Sequence, residues 1–274
     1  MTNKGLKTIS RVYIAVIMIL LYAPIAILIL FSFNSINSTS IFGGFSLHWY
    51  SELFKDAATI AAFRNTIVLA VLSAAISTVF GTLSAIGLHY SRTKWYKKSL
   101  MTTTNIPMMN PDIVTGISMM LLFVFIGSLA AKSGVLGFTT MLIAHISFQL
   151  PYVILNVMPR FRSMDEYLTE AAMDLGCTPI QAFFKVTLPQ ILPGVLSGAI
   201  MAFTLSIDDF VISYFVSGPE FQTLPIRIYS MTKKRVTPDM YALSTLIFVA
   251  MLILLILVNV AQARAEQQDK KEGK

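Results

Sequence analysis

The sequence predicts an all-α, polytopic membrane protein with six transmembrane helices, and three observations predict it. Hydrophobic residues make up 55% of the 274 residues and charged residues only 13%. Soluble domains carry about 25% charged residues, so this chain lacks the polar side chains to coat a water-facing surface. The mean hydropathy is +0.69, and the apolar residues gather into six separate runs near the ~20 that a helix needs to cross a bilayer core.

The spans are expected at about 12–31, 65–88, 100–126, 139–158, 191–216 and 242–261. The first exceeds a signal-peptide core and no small-residue cleavage site follows it, so it reads as a retained span. The third is broken by Pro107 and Pro111. No soluble domain and no internal repeat interrupts the series, so residues 1–274 read as one transmembrane domain. Small residues such as Gly81, Ser84 and Gly87 suit close helix packing. The 15 methionines fit lipid-facing or packing positions. The polar tail from Arg264 is expected to be solvated or frayed.

Lys and Arg orient the chain. With the N-terminus inside, fourteen of the 21 fall on inner segments, among them Lys4, Lys7, Arg11, Arg92, Lys97, Arg160 and Lys185. Seven fall outside, with Lys233, Lys234 and Arg235 as a local exception. Both termini are therefore expected in the cytoplasm. The net charge of +7 reflects this bias. No basic helix or aromatic platform suggests nucleic acid. The outer loop 32–64 carries Phe42, Phe45, Trp49, Tyr50 and Phe54, which suits an interfacial aromatic belt or a part in substrate entry. The loop 217–241, with Pro219, Pro225 and Pro238, is long enough to dip back or lie on the surface.

The inner loop 159–190 is the most patterned stretch. Ser163 with Glu166 has capping-box spacing and predicts a helix start. Gly176 suits a left-handed helix end. Thr178 with Gln181 forms a second capping box, with Pro179 at the first helical position. Pro189 and Pro193 are expected to limit that second helix. The first helix is acidic through Asp165, Glu166, Glu170 and Asp174, with an apolar stripe of Met164, Leu168, Ala171, Ala172 and Leu175.

Three carboxylates sit inside apolar spans. Asp112 follows Pro111, and a third span starting near Ser99 would put it roughly 20 Å along the helix, near the midplane. Asp208 and Asp209 lie late in the fifth span. Adjacent helical residues point about 100° apart, so at most one of these two faces a path squarely. Intramembrane carboxylates are costly and face a cavity or a partner. No Lys or Arg lies within either span. A pathway role with a cationic substrate and a structural hydrogen bond both remain open for Asp112. Pro107 and Pro111 also free backbone carbonyls to line a cavity.

Glu170-Ala171-Ala172, then Gly176, then Val186-Thr187-Leu188-Pro189 match the EAA loop of binding-protein-dependent ABC importer permeases, with Val186 where that family usually has Ile. The chain also resembles, from first span to last, the permeases of spermidine/putrescine importers. The resemblance rests on Phe31-Ser-Phe-Asn34, Trp49-Tyr50, Asn110-Pro-Asp-Ile-Val114, Phe203-Thr-Leu-Ser-Ile-Asp-Asp209 and Leu224-Pro-Ile-Arg-Ile-Tyr-Ser-Met231. It implies a type I ABC importer permease fold in a bacterial inner membrane. It implies polyamine import with a second permease subunit, an ATP-binding ATPase dimer and an extracytoplasmic polyamine-binding protein. Glu170, Ala171, Ala172, Gly176, Leu188 and Pro189 would form the ATPase-coupling surface. Trp49, Asp112, Asp208 and Asp209 would meet the amines by ion pairing and cation–π contact.

Several classes are excluded or demoted. The chain has no phosphate-binding Gly-x-x-x-x-Gly-Lys-Ser/Thr loop, so ATP and magnesium are expected on the partner ATPase and no cofactor or metal on this chain. No zinc-protease motif or nucleophile elbow marks a catalytic site. His48, His89 and His145 are scattered and expected to be structural. Cys177 is expected to be a free thiol. The rival readings are a permease for another small cationic solute and, from a different class, an ion-driven secondary carrier or intramembrane enzyme. The EAA loop argues against the last two, which have no ATPase to grip.

Overall fold

The computed structural model describes residues 3–91, 93–130, 134–165, 167–233 and 237–272. They form twelve α-helices and one π-helical turn, with no strand among the described residues. Helix α1 (Asn3–Ser32) is followed by α2 (His48–Leu53), α3 (Ala57–Tyr90), α4 (Lys94–Met109), α5 (Asp112–Leu129) and α6 (Phe138–Ser163). Then come α7 (Leu168–Asp174), α8 (Pro179–Ala182), the π turn Phe183–Thr187, α9 (Leu188–Asp208), α10 (Val211–Val216), α11 (Leu224–Thr232) and α12 (Pro238–Glu272). Six helices among the described residues have the length and apolarity to cross a membrane.

Four boundaries differ from the expected spans, each for a local reason. The third span is Asp112–Leu129 alone. Asn110 (φ −83°, ψ 136°) and Pro111 (φ −58°, ψ 135°) are extended and end α4, because proline clashes with a helical conformation of the residue before it. Asp112 therefore opens α5 and does not lie 20 Å along a continuous helix. The fifth span divides at Asp209 (ψ 118°) into α9 and α10. Pro189 and Pro193 do not stop the second loop helix. Pro189 falls in the first turn of α9, directly after the π turn Phe183–Thr187 that re-registers the helix ladder around it, and the chain stays helical from Pro179 to Asp208. The tail beyond residue 264 continues α12 to Glu272.

By packing, the chain divides into two compact units. One comprises Met1–Ile60 with Arg227–Ile256, the other Ala61–Ile226 with Leu257–Lys274. In the first, no residue of the most apolar stretch of the α1 span is buried, and Ile14, Leu20 and Leu21 are bare, the side chains of a lipid-facing or partner-facing helix. Asn34 is fully buried and organises the segment after α1. Its amide donates to the carbonyls of Ser38 and Ile41, each at 2.8 Å.

In the second unit α6 and α9 pack most extensively. A Cβ on Gly194 would come within 2.8 Å of the Asn156 carbonyl oxygen, and one on Gly198 within 3.2 Å of Val153 Cα. This small-x-x-x-small spacing lets two backbones touch. Gly81 meets Val153 from α3, whereas Gly87 faces open space. Leu88, Val153, Val157, Phe161 and Ile191 fill one core cluster, and Leu69, Phe123, Met141, Ile212 and Val216 another. Gly116 lets α5 lie against Ile212 and Phe215 of α10. Asp112 is four residues before it on the same face, so this contact brings Asp112 to the broken end of α9.

Candidate functional site

The loop between α6 and α9 is built as a rigid hairpin. Gly176 has φ +92°, a conformation that only glycine adopts without strain. The N–H of Cys177 reaches the Ala172 carbonyl at 3.1 Å, and that of Gly176 reaches Met173 at 2.9 Å. This pair of bonds is the Schellman ending. The expected second capping box is present. The Thr178 N–H donates to Gln181 Oε1 at 3.0 Å, and the Gln181 N–H to Thr178 Oγ1 at 3.3 Å. The first differs. Ser163 closes α6, its hydroxyl donating to the Arg160 carbonyl, and Tyr167 precedes α7. Glu166 lies outside the described residues. The Thr169 and Thr187 hydroxyls meet at 3.3 Å and tie α7 to the π turn. Ala172 and Ala182 are buried beneath, while Tyr167, Leu175, Ile180 and Phe184 are exposed, Leu175 at 88%. The stripe expected on α7 thus splits, with Met164 and Ala172 inward and Leu175 outward. The loop presents a fixed apolar face beside the carboxylates of Glu170 and Asp174.

The three intramembrane aspartates line one cavity of about 280 Å³ in the second unit, together with Phe148, Tyr152, Leu205, Phe210, Val211 and Ile212. Ligand cavities start near 300 Å³. None of the lining residues is Lys or Arg. Asp112 and Asp208 are exposed to this space.

Asp209 is differently placed, its side chain only 9% exposed. Its Oδ2 accepts from the Ser213 N–H at 2.7 Å and its Oδ1 from the Ile212 N–H at 3.3 Å. These are orphan donors at the start of α10, satisfied as a capping carboxylate satisfies them. Oδ2 also lies 3.5 Å from His145 Nε2. Asp209 therefore serves the break in the helix, and Asp208 and Asp112 keep oxygens for the cavity.

The sequence reading missed the aromatic wall. His145, Phe148 and Tyr152 recur at three and four residues on α6, which puts them on one face. That periodicity, in a span with an ionisable residue, was the available signal. Trp49 belongs to the other unit. With His48, Glu52, Leu53, Asp56, Thr59, Met231 and Asp239 it lines a separate cavity of about 350 Å³. Its indole Nε1 donates to the Asn34 carbonyl at 2.7 Å. Beside it the Arg227 guanidinium donates to Asp56 Oδ2 at 2.9 Å, which gives Arg227 of the Leu-Pro-Ile-Arg stretch a structural role. Burial pushes the Asp56 carboxyl up, but hydrogen bonds from Thr59 and Arg227 outweigh it and hold it below the ordinary 3.8. No group of three or more His, Cys, Asp or Glu among the described residues could hold a metal ion.

The chain is 39% identical over 249 residues to the putrescine transport system permease protein PotI of Escherichia coli K12, covering 90% of this chain and 88% of that protein. It is 38% identical over 249 residues to the spermidine/putrescine transport system permease protein PotC of Haemophilus influenzae, covering 91% and 94%. Among solved structures it is similar to a chain of the bacterial alginate ABC transporter in complex with alginate pentasaccharide-bound periplasmic protein. That similarity has a TM-score of 0.74 at 17% identity over 96% of each chain, and it bears on the fold alone. Residues 77–268 match the family described as binding-protein-dependent transport system inner membrane component, and this coverage, with the permease relatives, makes the chain a member of that family.

Proposed function

We propose that this chain is a permease subunit of a polyamine ABC importer, admitting spermidine or putrescine through the cavity lined by Asp112 and Asp208. One observation carries the reading: three carboxylates and three aromatic rings share a cavity without a lining Lys or Arg. Uncompensated carboxylates in a low-dielectric site favour a cation. Ring faces add cation–π attraction without holding the ammonium as tightly as a further ion pair would. The names of the PotI and PotC relatives support polyamines over other cations. Both aspartates sit beside helix breaks, where freed backbone groups add polar contacts along the path.

The finer partners are a sibling permease, an ATPase dimer and an extracytoplasmic polyamine-binding protein, with both termini in the cytoplasm. The exposed residues of the α7–α8 hairpin form the ATPase-docking surface around Glu170, Ala171, Ala172 and Gly176, with Leu188 and Pro189 carrying the push into α9. The chain itself performs no chemistry, and ATP and magnesium belong to the ATPase. Trp49, in its separate acidic cavity, is proposed to meet the amines at another stage of transport.

The test is uptake of labelled spermidine and putrescine by cells carrying the complete transporter, with and without this subunit. Energy-dependent uptake that disappears with the subunit supports the reading. Unchanged uptake, in a strain with no other polyamine importer, would redirect it to another small cationic solute.

A further inference from the structure

A run of buried hydrogen bonds ends at the start of α10, beside Asp209. Ser77 Oγ donates to Gln149 Oε1 at 2.9 Å, and Gln149 Nε2 donates to Ser73 Oγ at 3.1 Å. Ser73 Oγ donates to Ser206 Oγ at 3.2 Å, and Ser206 Oγ lies 2.7 Å from His145 Nδ1. On the far side of the ring, Nε2 is 3.0 Å from Ser213 Oγ and 3.5 Å from Asp209 Oδ2. Ser73, Ser77, His145, Gln149 and Ser213 are fully buried, and Ser206 is 2% exposed. The run joins α3, α6, α9 and α10.

With the Ser206 hydroxyl donating to Nδ1, the ring carries a proton on Nε2, turned to Ser213 and Asp209. Such a buried run holds its last member in one orientation, because any other orientation leaves polar groups unpaired at high cost.

We propose that His145 is the positioning residue for Asp209: from α6 it fixes the carboxylate that caps α10, and so fixes the turn at 208–210 that aims Asp208 into the cavity. The inference rests on the proposed role of that cavity. Asp209 has two backbone donors from its own turn, and His145 supplies the donor from a neighbouring helix. Without it the turn keeps its local bonds but loses its registration against α6.

Two near-isosteres separate positioning from packing. In His145→Gln the amide nitrogen reaches the place of Nε2. In His145→Asn it reaches only the place of Nδ1, so Asp209 loses its donor. Labelled spermidine uptake by the complete transporter is measured with both, alongside Asp209→Asn, His145→Asn/Asp209→Asn and Asp112→Asn. His145→Asn is expected to raise KM roughly tenfold, the scale of one lost hydrogen bond to a charge. Its maximal rate per assembled complex should stay near normal. His145→Gln should stay within about threefold of the parent, the scale of a weak neutral bond. The double variant should match Asp209→Asn alone, since His145 acts through that carboxylate. A normal KM in His145→Asn, or equal losses in both single variants, overturns the positioning role whatever Asp112→Asn does. A normal KM in Asp112→Asn removes that residue from the cavity's function and is read separately.

Discussion

Asp208 and Asp209 are neighbours in sequence with different surroundings. Asp208 is exposed to the cavity, so Asp208→Asn should raise KM for spermidine about tenfold, the scale of a charge-assisted bond, with complex yield unchanged. Asp209 accepts two backbone N–H groups, so Asp209→Asn should also destabilise the subunit by about 1 kcal/mol, as loss of a cap does. Uptake kinetics beside detergent melting of the purified complex would separate the two. A different carboxylate carries a pH dependence. The folded Asp56 carboxyl lies below 3.8, so its contribution is fully present above that value and lost as pH falls through the lower folded one. The melting difference between the parent and Asp56→Asn should therefore be visible at neutral pH and shrink below about pH 4. A difference that grew on acidification would contradict the Arg227 pairing.

The elements owe their ends to a few residues, and those ends differ in how plainly the sequence announces them. Gly176 and the Thr178–Gln181 box were legible because each is a local rule, satisfied within four or five residues. A side chain at position 176 must bear φ +92°, at a cost of about 1–2 kcal/mol. Gly176→Asp, which also adds a charge to the hairpin, should abolish uptake while the subunit still reaches the membrane, as immunoblotting and flux would report. The break at Asp209 was not legible. It rests on the Asp209 carboxylate turning to accept the Ile212 and Ser213 N–H groups, and an apolar run across 191–216 reads as one helix because an Asp can equally well continue it. The close approach of α6 and α9 was half-legible. The Gly194 and Gly198 spacing is in the sequence, but only the meeting with Asn156 and Val153 gives it meaning. Gly198→Leu should separate these helices and cut the yield of folded complex severalfold, a loss of a few kcal/mol of packing, measured by size-exclusion chromatography.

At the scale of the molecule, membership of the permease family explains a composition that leaves α1 bare. Such a helix is complete only beside lipid or another subunit. Purification through a tag on this chain should therefore bring down an ATPase and a second permease in fixed proportion, and recovery of the chain alone would contradict the importer reading. The uninterrupted helical path from Pro179 to Asp208 has a mechanical consequence. Thirty residues of helix span roughly 45 Å, with the hairpin at one end and the exposed carboxylate of Asp208 at the other. Pivoting such a rod about its base by about 5° swings the far tip through roughly 4 Å, more than a hydrogen bond's length. On the proposed coupling, such a rod would act as an oar, a small turn where the hairpin sits carrying the Asp208 end that far from a bound ammonium.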